Sequence, residues 1–252
     1  MRVNQARVLL IGASGGIGQA MTHQLRAKGA HVVCVGRSWP QGMTKDAIVA
    51  DITLPSDRAR MCELVKEHQI NIVVIASGAS SFGPFETMTD VDIAQLMQVN
   101  VTAPMQLVAA LLPELRQRTQ AQLIFVGSAL GRIGVPGFSA YGASKAALHG
   151  LAEGLRRELS DTPVRVQLLA PRATKTAFNG SQAQQFNQLT ATASDVPDVV
   201  AGALLTLIES QAAERFIGFP ERIGVKLNSV LGALMDGSFK PHVHALRTLF
   251  PK

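Results

Sequence analysis

The sequence predicts a single α/β domain organised around a doubly wound parallel sheet. Three observations carry that expectation. Short apolar runs of strand character alternate with helical stretches along nearly the whole chain. The first run ends in a glycine-rich turn that opens a helix, and no repeat or linker interrupts the alternation. The 252 residues are 47% hydrophobic and 17% charged, which suits one large core, since a chain of this size removes roughly 70–75% of its unfolded surface on folding. Residues 1–252 are therefore expected to form one domain.

Arg7–Ile11 is the first strand and Gly12–Gly18 the turn, followed by a helix to about Lys28, where Gly29 supplies a stop. His31–Val35 and Ile48–Ala50 are the second and third strands. Ser56 is placed to cap a helix carrying Met61, Leu64 and Val65 on one face, and Ile70–Ala76 is the fourth strand. Thr89 followed by Asp92 gives a capping-type start to the next helix, and a separate helical stretch runs from about Thr102 to Arg118. Gln122–Gly127 is the fifth strand. From Ala140 onward Leu148, Leu151, Ala152, Leu155 and Leu159 recur at helical spacing, and Val164–Leu169 is the sixth strand. Val199, Val200, Ala203, Leu204, Leu207 and Ile208 mark a late helix, with Phe216–Ile217 as a seventh strand. Strands joined by helices require right-handed crossovers. In such sheets ligands bind beyond the carboxyl ends of the strands, where the winding reverses.

Composition excludes several classes of protein. Lys and Arg number 24 against 18 Asp and Glu, a net charge of +6. The basic residues are scattered and not interleaved with aromatics, so no nucleic-acid groove is expected. Cys34 and Cys62 are the only cysteines and form no CxxC, which leaves neither a disulfide framework nor a metal site to read. They read as small buried hydrophobes in a reducing, cytoplasmic setting. The apolar run Val8–Ile11 stops at Gly12, too short for a secretion signal. Ile93–Pro113 carries no charge but contains Gln95, Gln98, Asn100, Thr102, Pro104 and Gln106, and reads poorly as a membrane span.

The turn Gly12-Ala13-Ser14-Gly15-Gly16-Ile17-Gly18 lies between a strand and a helix, the context in which backbone can approach a pyrophosphate at a helix N-terminus. The second strand ends in Val35-Gly36-Arg37-Ser38. An acid there would bond a ribose 2′-hydroxyl, whereas a cation would meet a 2′-phosphate, so Arg37 leans the reading towards NADP(H). Asp51, after the third strand, either faces the adenine edge or is a plain loop residue.

Tyr141 and Lys145 form Tyr-x-x-x-Lys at the start of a long amphipathic helix, a spacing that puts both on one face. A neighbouring ammonium favours the phenolate and lowers a phenol's ordinary value near ~10. Ser128 lies at the end of the fifth strand and Asn100 between two helical stretches.

Gly12-x-x-x-Gly16-x-Gly18, Asn100, Ser128 and Tyr141-x-x-x-Lys145 stand in an order and spacing that resembles the short-chain dehydrogenase/reductase family, over about residues 5–210. The resemblance implies a Rossmann-like fold and hydride transfer between nicotinamide and a carbonyl or secondary alcohol. It implies that Tyr141 exchanges the proton with substrate oxygen and Ser128 polarises the carbonyl. Lys145 would bind the nicotinamide ribose and lower the Tyr141 pKa, and Asn100 would hold a water in a proton relay. Cofactor contacts are expected from Gly12, Ser14, Gly16, Ile17, Gly18, Arg37, Asp51, Ile52, Gly78, Tyr141, Lys145, Pro171 and Thr176, with Asp51 on the adenine and Thr176 on the carboxamide. Family members commonly form homodimers or homotetramers.

The chain departs from the family pattern twice. Asn-Asn-Ala-Gly after the fourth strand reads Ile75-Ala76-Ser77-Gly78, and Pro-Gly after the sixth reads Pro171-Arg172. Arg172 either shapes the substrate mouth or faces solvent. Residues 175–193 are expected as a substrate lid, with Phe82, Leu130, Ile133, Phe138, Phe178 and Phe186 as apolar lining for an apolar ketone or acyl chain. A C-terminal extension, 221–252, contains the apolar stretch Ile223, Val225, Leu227, Val230, Leu231, Leu234 and Met235, beside Arg222 and Lys226. It reads as a substrate cover, a subunit contact or, less favoured, a membrane-surface helix. The alternative to an enzyme is a protein that senses NADP without turnover, a class that would typically lose Tyr or Lys.

Overall fold

Strands apolar on both faces need helices on both sides, and the chain folds accordingly. The computed structural model describes residues 1–39, 47–218 and 221–251, with only the backbone of residues 221–223, 226 and 229–231. The elements are β1 (Arg7–Ile11), α1 (Gly16–Ala27), β2 (His31–Gly36), β3 (Ala47–Val49), α2 (Pro55–Glu67), β4 (Ile72–Ile75), α3 (Asp90–Met97) and α4 (Ala103–Leu115). They continue with β5 (Ala121–Val126), α5 (Ser139–Glu158), β6 (Val164–Ala170), α6 (Ser181–Leu189), α7 (Pro197–Ser210), β7 (Glu214–Phe216), α8 (Glu221–Met235) and α9 (Lys240–Leu249).

The seven strands form one sheet in the order β3-β2-β1-β4-β5-β6-β7, with every pairing parallel. The winding reverses between β1 and β4, which opens a crevice at their carboxyl ends. Alternate residues of each strand go to opposite faces. Leu9, Ile11, Val73, Ile75, Leu123 and Phe125 pack on one side against Met61 of α2, Leu107 and Leu111 of α4, and Leu148 of α5. Leu10, Cys34, Val74 and Ile124 pack on the other against Met21 and Leu25 of α1 and Leu204 and Leu207 of α7. A third apolar cluster lies apart from both, joining Phe138, Tyr141, Phe186 and Ala245.

Several boundaries move. The helix expected to be capped by Ser56 begins at Pro55, with Leu54 as an N-cap that offers no side-chain bond; proline is preorganised for a first helical position. The fourth strand is shorter than expected, at Ile72–Ile75; at its start Ile70 N still donates back to Val65 O of α2. β3 and β7 fall one and two residues earlier than expected at their starts. The Thr89 cap forms as read: its Oγ1 accepts from Asp92 N at 3.1 Å, and Asp92 Oδ2 accepts from Thr89 N at 3.0 Å.

The two helical stretches around Asn100 are one rod. α3 runs into a π-helical turn at Gln98–Thr102 and on into α4 without a break. By length and composition this rod is long and apolar enough to cross a bilayer, yet Leu107, Val108, Leu111 and Leu115 are part of the sheet's core. α6 and α9 are helices that the sequence reading does not anticipate; α6 buries Ala183 and Phe186, and α9 buries Ala245.

Candidate active site

The crevice at the switch point is a cavity of about 950 Å³. At one end is the glycine turn. Gly12 has φ +85°, a conformation glycine adopts freely, and its N–H and that of Ala13 both donate to Val35 O, at 2.9 and 3.0 Å. A Cβ on Gly12 would lie 2.6 Å from Ser77 N, and one on Gly18 2.2 Å from Gly12 O. The turn thus packs backbone on backbone, and α1 aims its N-terminus into the cavity with Gly15, Gly16 and Ile17 on the wall. Its uncapped N–H groups and dipole favour an anion there. Ser14, Arg37, Asp51 and Ile52 line the same end. Arg37 is exposed. Asp51 Oδ1 accepts from Thr53 N and Thr53 Oγ1, both at 2.8 Å, so half of that carboxylate is engaged within its own loop.

At the other end, β5 delivers Ser128 and the first turns of α5 deliver Tyr141 and Lys145, all lining the cavity. Ser128 caps a 3-10 turn, its Oγ accepting from Leu130 N at 3.1 Å. Tyr141 is buried. Burial pushes its phenol up to about 12, while a hydrogen bond with the Ser128 hydroxyl works in the opposite direction; the phenol thus stands above its ordinary value, not below it as expected from the neighbouring Lys145. Lys145 is also buried and is pushed down to about 8. Its Nζ donates to Val126 O at 3.3 Å and lies 5.7 Å from the Tyr141 ring centroid. Gly78 leaves room for that ammonium, since a Cβ there would be 3.4 Å from Nζ. Pro171 and Thr176 complete this wall.

Asn100 does not line the cavity. Fully buried at the middle of the π-helical turn, it accepts from Ala79 N at 2.7 Å through Oδ1 and donates through Nδ2 to Ala79 O at 3.0 Å and Ser144 Oγ at 2.9 Å. Ser144 Oγ donates in turn to Tyr141 O at 2.7 Å. Both amide hydrogens are spent on tying the loop after β4 to α5, which leaves a second lone pair of Oδ1 as the side chain's capacity for water.

Of the expected apolar lining, Leu130, Ile133, Phe138, Phe178 and Phe186 face the cavity, whereas Phe82 backs it, with ring centroids 4.8 Å from Phe138 and 5.0 Å from Phe186. Arg172 does not face bulk solvent: it lines the cavity wall and pairs with Asp195. Sequence reasoning missed Phe239 and His242, which α9 and the turn before it bring to the substrate end. Of the C-terminal apolar stretch, the Ile223, Val230 and Leu231 side chains, with those of Arg222 and Lys226, lie outside the described residues. Asn228 of α8 donates to Arg132 O at 2.8 Å, beside the substrate end. Sequence reasoning also missed His149, one turn past Lys145 and buried against Phe216.

The family described as short chain dehydrogenase matches residues 6–187. The chain belongs to the short-chain dehydrogenase family. It is 31% identical over 188 residues to Dehydrogenase/reductase SDR family member 4 of Homo sapiens, covering 69% of this chain and 68% of that one. The mouse protein of the same name is 30% identical over 188 residues, covering 69% of this chain and 67% of its own. Among solved structures, a short chain dehydrogenase of Burkholderia cenocepacia in complex with NADP superposes with a TM-score of 0.82 at 22% identity, covering 95% of this chain and 99% of the other. One from Streptomyces avermitilis gives 0.79 at 26% identity, covering 93% and 97%. As a short-chain dehydrogenase the protein is an oxidoreductase that uses a nicotinamide cofactor and acts on small molecules. The cavity suits such a cofactor: its glycine cradle admits backbone and no side chain, and its far end reaches Tyr141.

Proposed function

We propose that this protein is an NADPH-dependent reductase of uncharged, apolar ketones or acyl carbonyls, with Tyr141 as the proton donor. The observation that carries the reading is the convergence of Tyr141, Ser128 and Lys145 at the end of a cavity that begins at the glycine turn. The bound nicotinamide supplies or accepts the hydride. Ser128 donates to the carbonyl oxygen and orients it against the phenol. Tyr141, protonated at neutral pH, gives its proton to that oxygen as negative charge develops. Lys145 places a positive charge beside the phenol, stabilises the phenolate left behind and offers its ammonium to a ribose hydroxyl. Asn100 holds the loop carrying Gly78 and Ala79 against α5 and so fixes the distance between the two ends.

The preference for NADPH rests on Arg37 at the end of β2, where no acid stands to bond a 2′-hydroxyl. The preference for apolar substrates rests on Leu130, Ile133, Phe138 and Phe186. Both cysteines are free thiols, which suits a cytoplasmic protein, and the reading takes it as a homo-oligomer, as family members commonly are. The deciding experiment follows NADPH and NADH consumption with a panel of apolar ketones and 3-oxoacyl esters. Turnover with NADPH that disappears in Tyr141→Phe supports the reading. Tight NADPH binding with no turnover on any of them makes the protein a sensor of the cofactor instead.

A further inference from the structure

We propose that the ion pair between Arg172 and Asp195 is a clasp that holds the segment between them down over the cofactor cleft and sets how fast the cofactor leaves. This builds on the cofactor site proposed above. The chain leaves β6 at Pro171 and returns at Asp195, just before α7, and at that neck the two ends run side by side. Thr174 pairs with Asp195, Lys175 N donates to Asp195 O at 2.9 Å, and Asp195 N donates to Ala173 O at 2.9 Å. Across the neck, Arg172 Nη2 donates to Asp195 Oδ1 at 2.7 Å and Arg172 Nε to Oδ2 at 3.0 Å. The side chains are 18% and 11% exposed. A two-point guanidinium–carboxylate pair, partly withdrawn from water, is stronger and more directional than a surface ion pair.

What the clasp holds is functional at both ends of the cleft. Thr176 rests on the start of α1: a Cβ added at Gly16 would meet its Cγ2 at 2.8 Å. Phe178 lies edge-on to Tyr141, with ring centroids 6.1 Å apart. The same segment therefore covers the turn that faces the cofactor's phosphates and touches the proton donor. Opening of a lid of this kind commonly limits product release.

The test uses Arg172→Gln and Asp195→Asn, which keep side-chain shape, and the exchanged pair Arg172→Asp with Asp195→Arg. NADPH release is followed by stopped-flow fluorescence. Each single variant should release NADPH about tenfold faster with little change in the association rate, and the exchanged pair should recover most of the difference. Release rates that stay within twofold of wild type in both single variants overturn the proposal, as does an exchanged pair no better than either single. Amide hydrogen exchange over residues 175–193, measured without cofactor, decides the clasp independently. Faster exchange in the singles, restored in the exchanged pair, supports it, and unchanged exchange overturns it. Should wild type bind neither NADPH nor NADH, the cofactor reading falls, and the exchange measurement still judges the clasp.

Discussion

The imidazole of His149 fills the space that a side chain at Gly127 would need: a Cβ at Gly127 would lie 2.8 Å from His149 Nε2, and so would one at Gly131. Ser128 stands between those two glycines. The ring is thus a wedge under the turn that presents the serine hydroxyl. Gly127→Ala should cost about 1–3 kcal/mol of stability through overpacking. Adding His149→Ala should remove most of that cost, so a double-mutant cycle read by denaturant unfolding should show strong coupling between the two positions. Additive losses would mean that the contact does not govern the turn.

His149 also makes an acid prediction. Burial pushes its pKa down to about 4 from an ordinary 6.5, Arg132 and Lys145 adding to the effect and the Ser128 backbone opposing it. Between pH 6.5 and 4 the unfolded chain therefore binds a proton that the folded chain refuses, and stability falls as pH drops through that window. The loss from this one group is on the order of 3 kcal/mol. Thermal melts of wild type and His149→Gln between pH 7 and 4.5 should converge as the pH falls.

Lys145 acts in the opposite pH range. Its folded value of about 8 lies below the ordinary 10.5, so between those values the unfolded chain again holds the extra proton and stability rises with pH. Tyr141, raised to about 12 from 10, reverses the trend above pH 10, where the unfolded phenol ionises first. Lys145→Met should therefore flatten the rise between pH 8 and 10, which is read by melting temperature against pH relative to wild type.

Tyr141→Phe removes one oxygen and little volume. The expected fall in kcat is about a hundred- to ten-thousandfold, with NADPH affinity changed less than about threefold. Steady-state rates and fluorescence titration measure the two quantities on the same samples.

On the proposed preference for NADPH, Arg37→Ala should weaken NADPH binding about ten- to a hundredfold and leave NADH binding nearly unchanged, because NADH has no 2′-phosphate for that side chain to bind. Four dissociation constants check it. Equal affinity of wild type for the two cofactors would remove Arg37 as the determinant.

The glycine turn and the Tyr141–Lys145 pair were legible because each is a local pattern whose geometry follows from chain periodicity: a turn between strand and helix, and two residues four apart on one face. The parallel, doubly wound sheet followed from the alternation of strands and helices and the handedness of their crossovers. Other features depend on partners that no local window contains. Arg172 finds Asp195, 23 positions further along and beyond α6. Phe239 and His242 reach the site because α9 packs on α6, a contact between segments far apart in the chain. Asn100 sits at a backbone irregularity that side-chain patterning does not encode.

That irregularity constrains how the protein can change. A π-helical turn is an α-helix holding one residue too many, less well bonded than the regular form. Loss of a single residue between Gln98 and Thr102 would let α3 and α4 run as an ordinary helix. It would also rotate the upstream half by about 100° against the downstream half, carrying the Asn100 amide away from Ala79 and Ser144. A shortened chain of this kind gains a smoother helix and loses the tie between the two ends of the cleft. The surplus residue thus keeps the Asn100 tie between the loop after β4 and α5 against the preference of the helix that contains it.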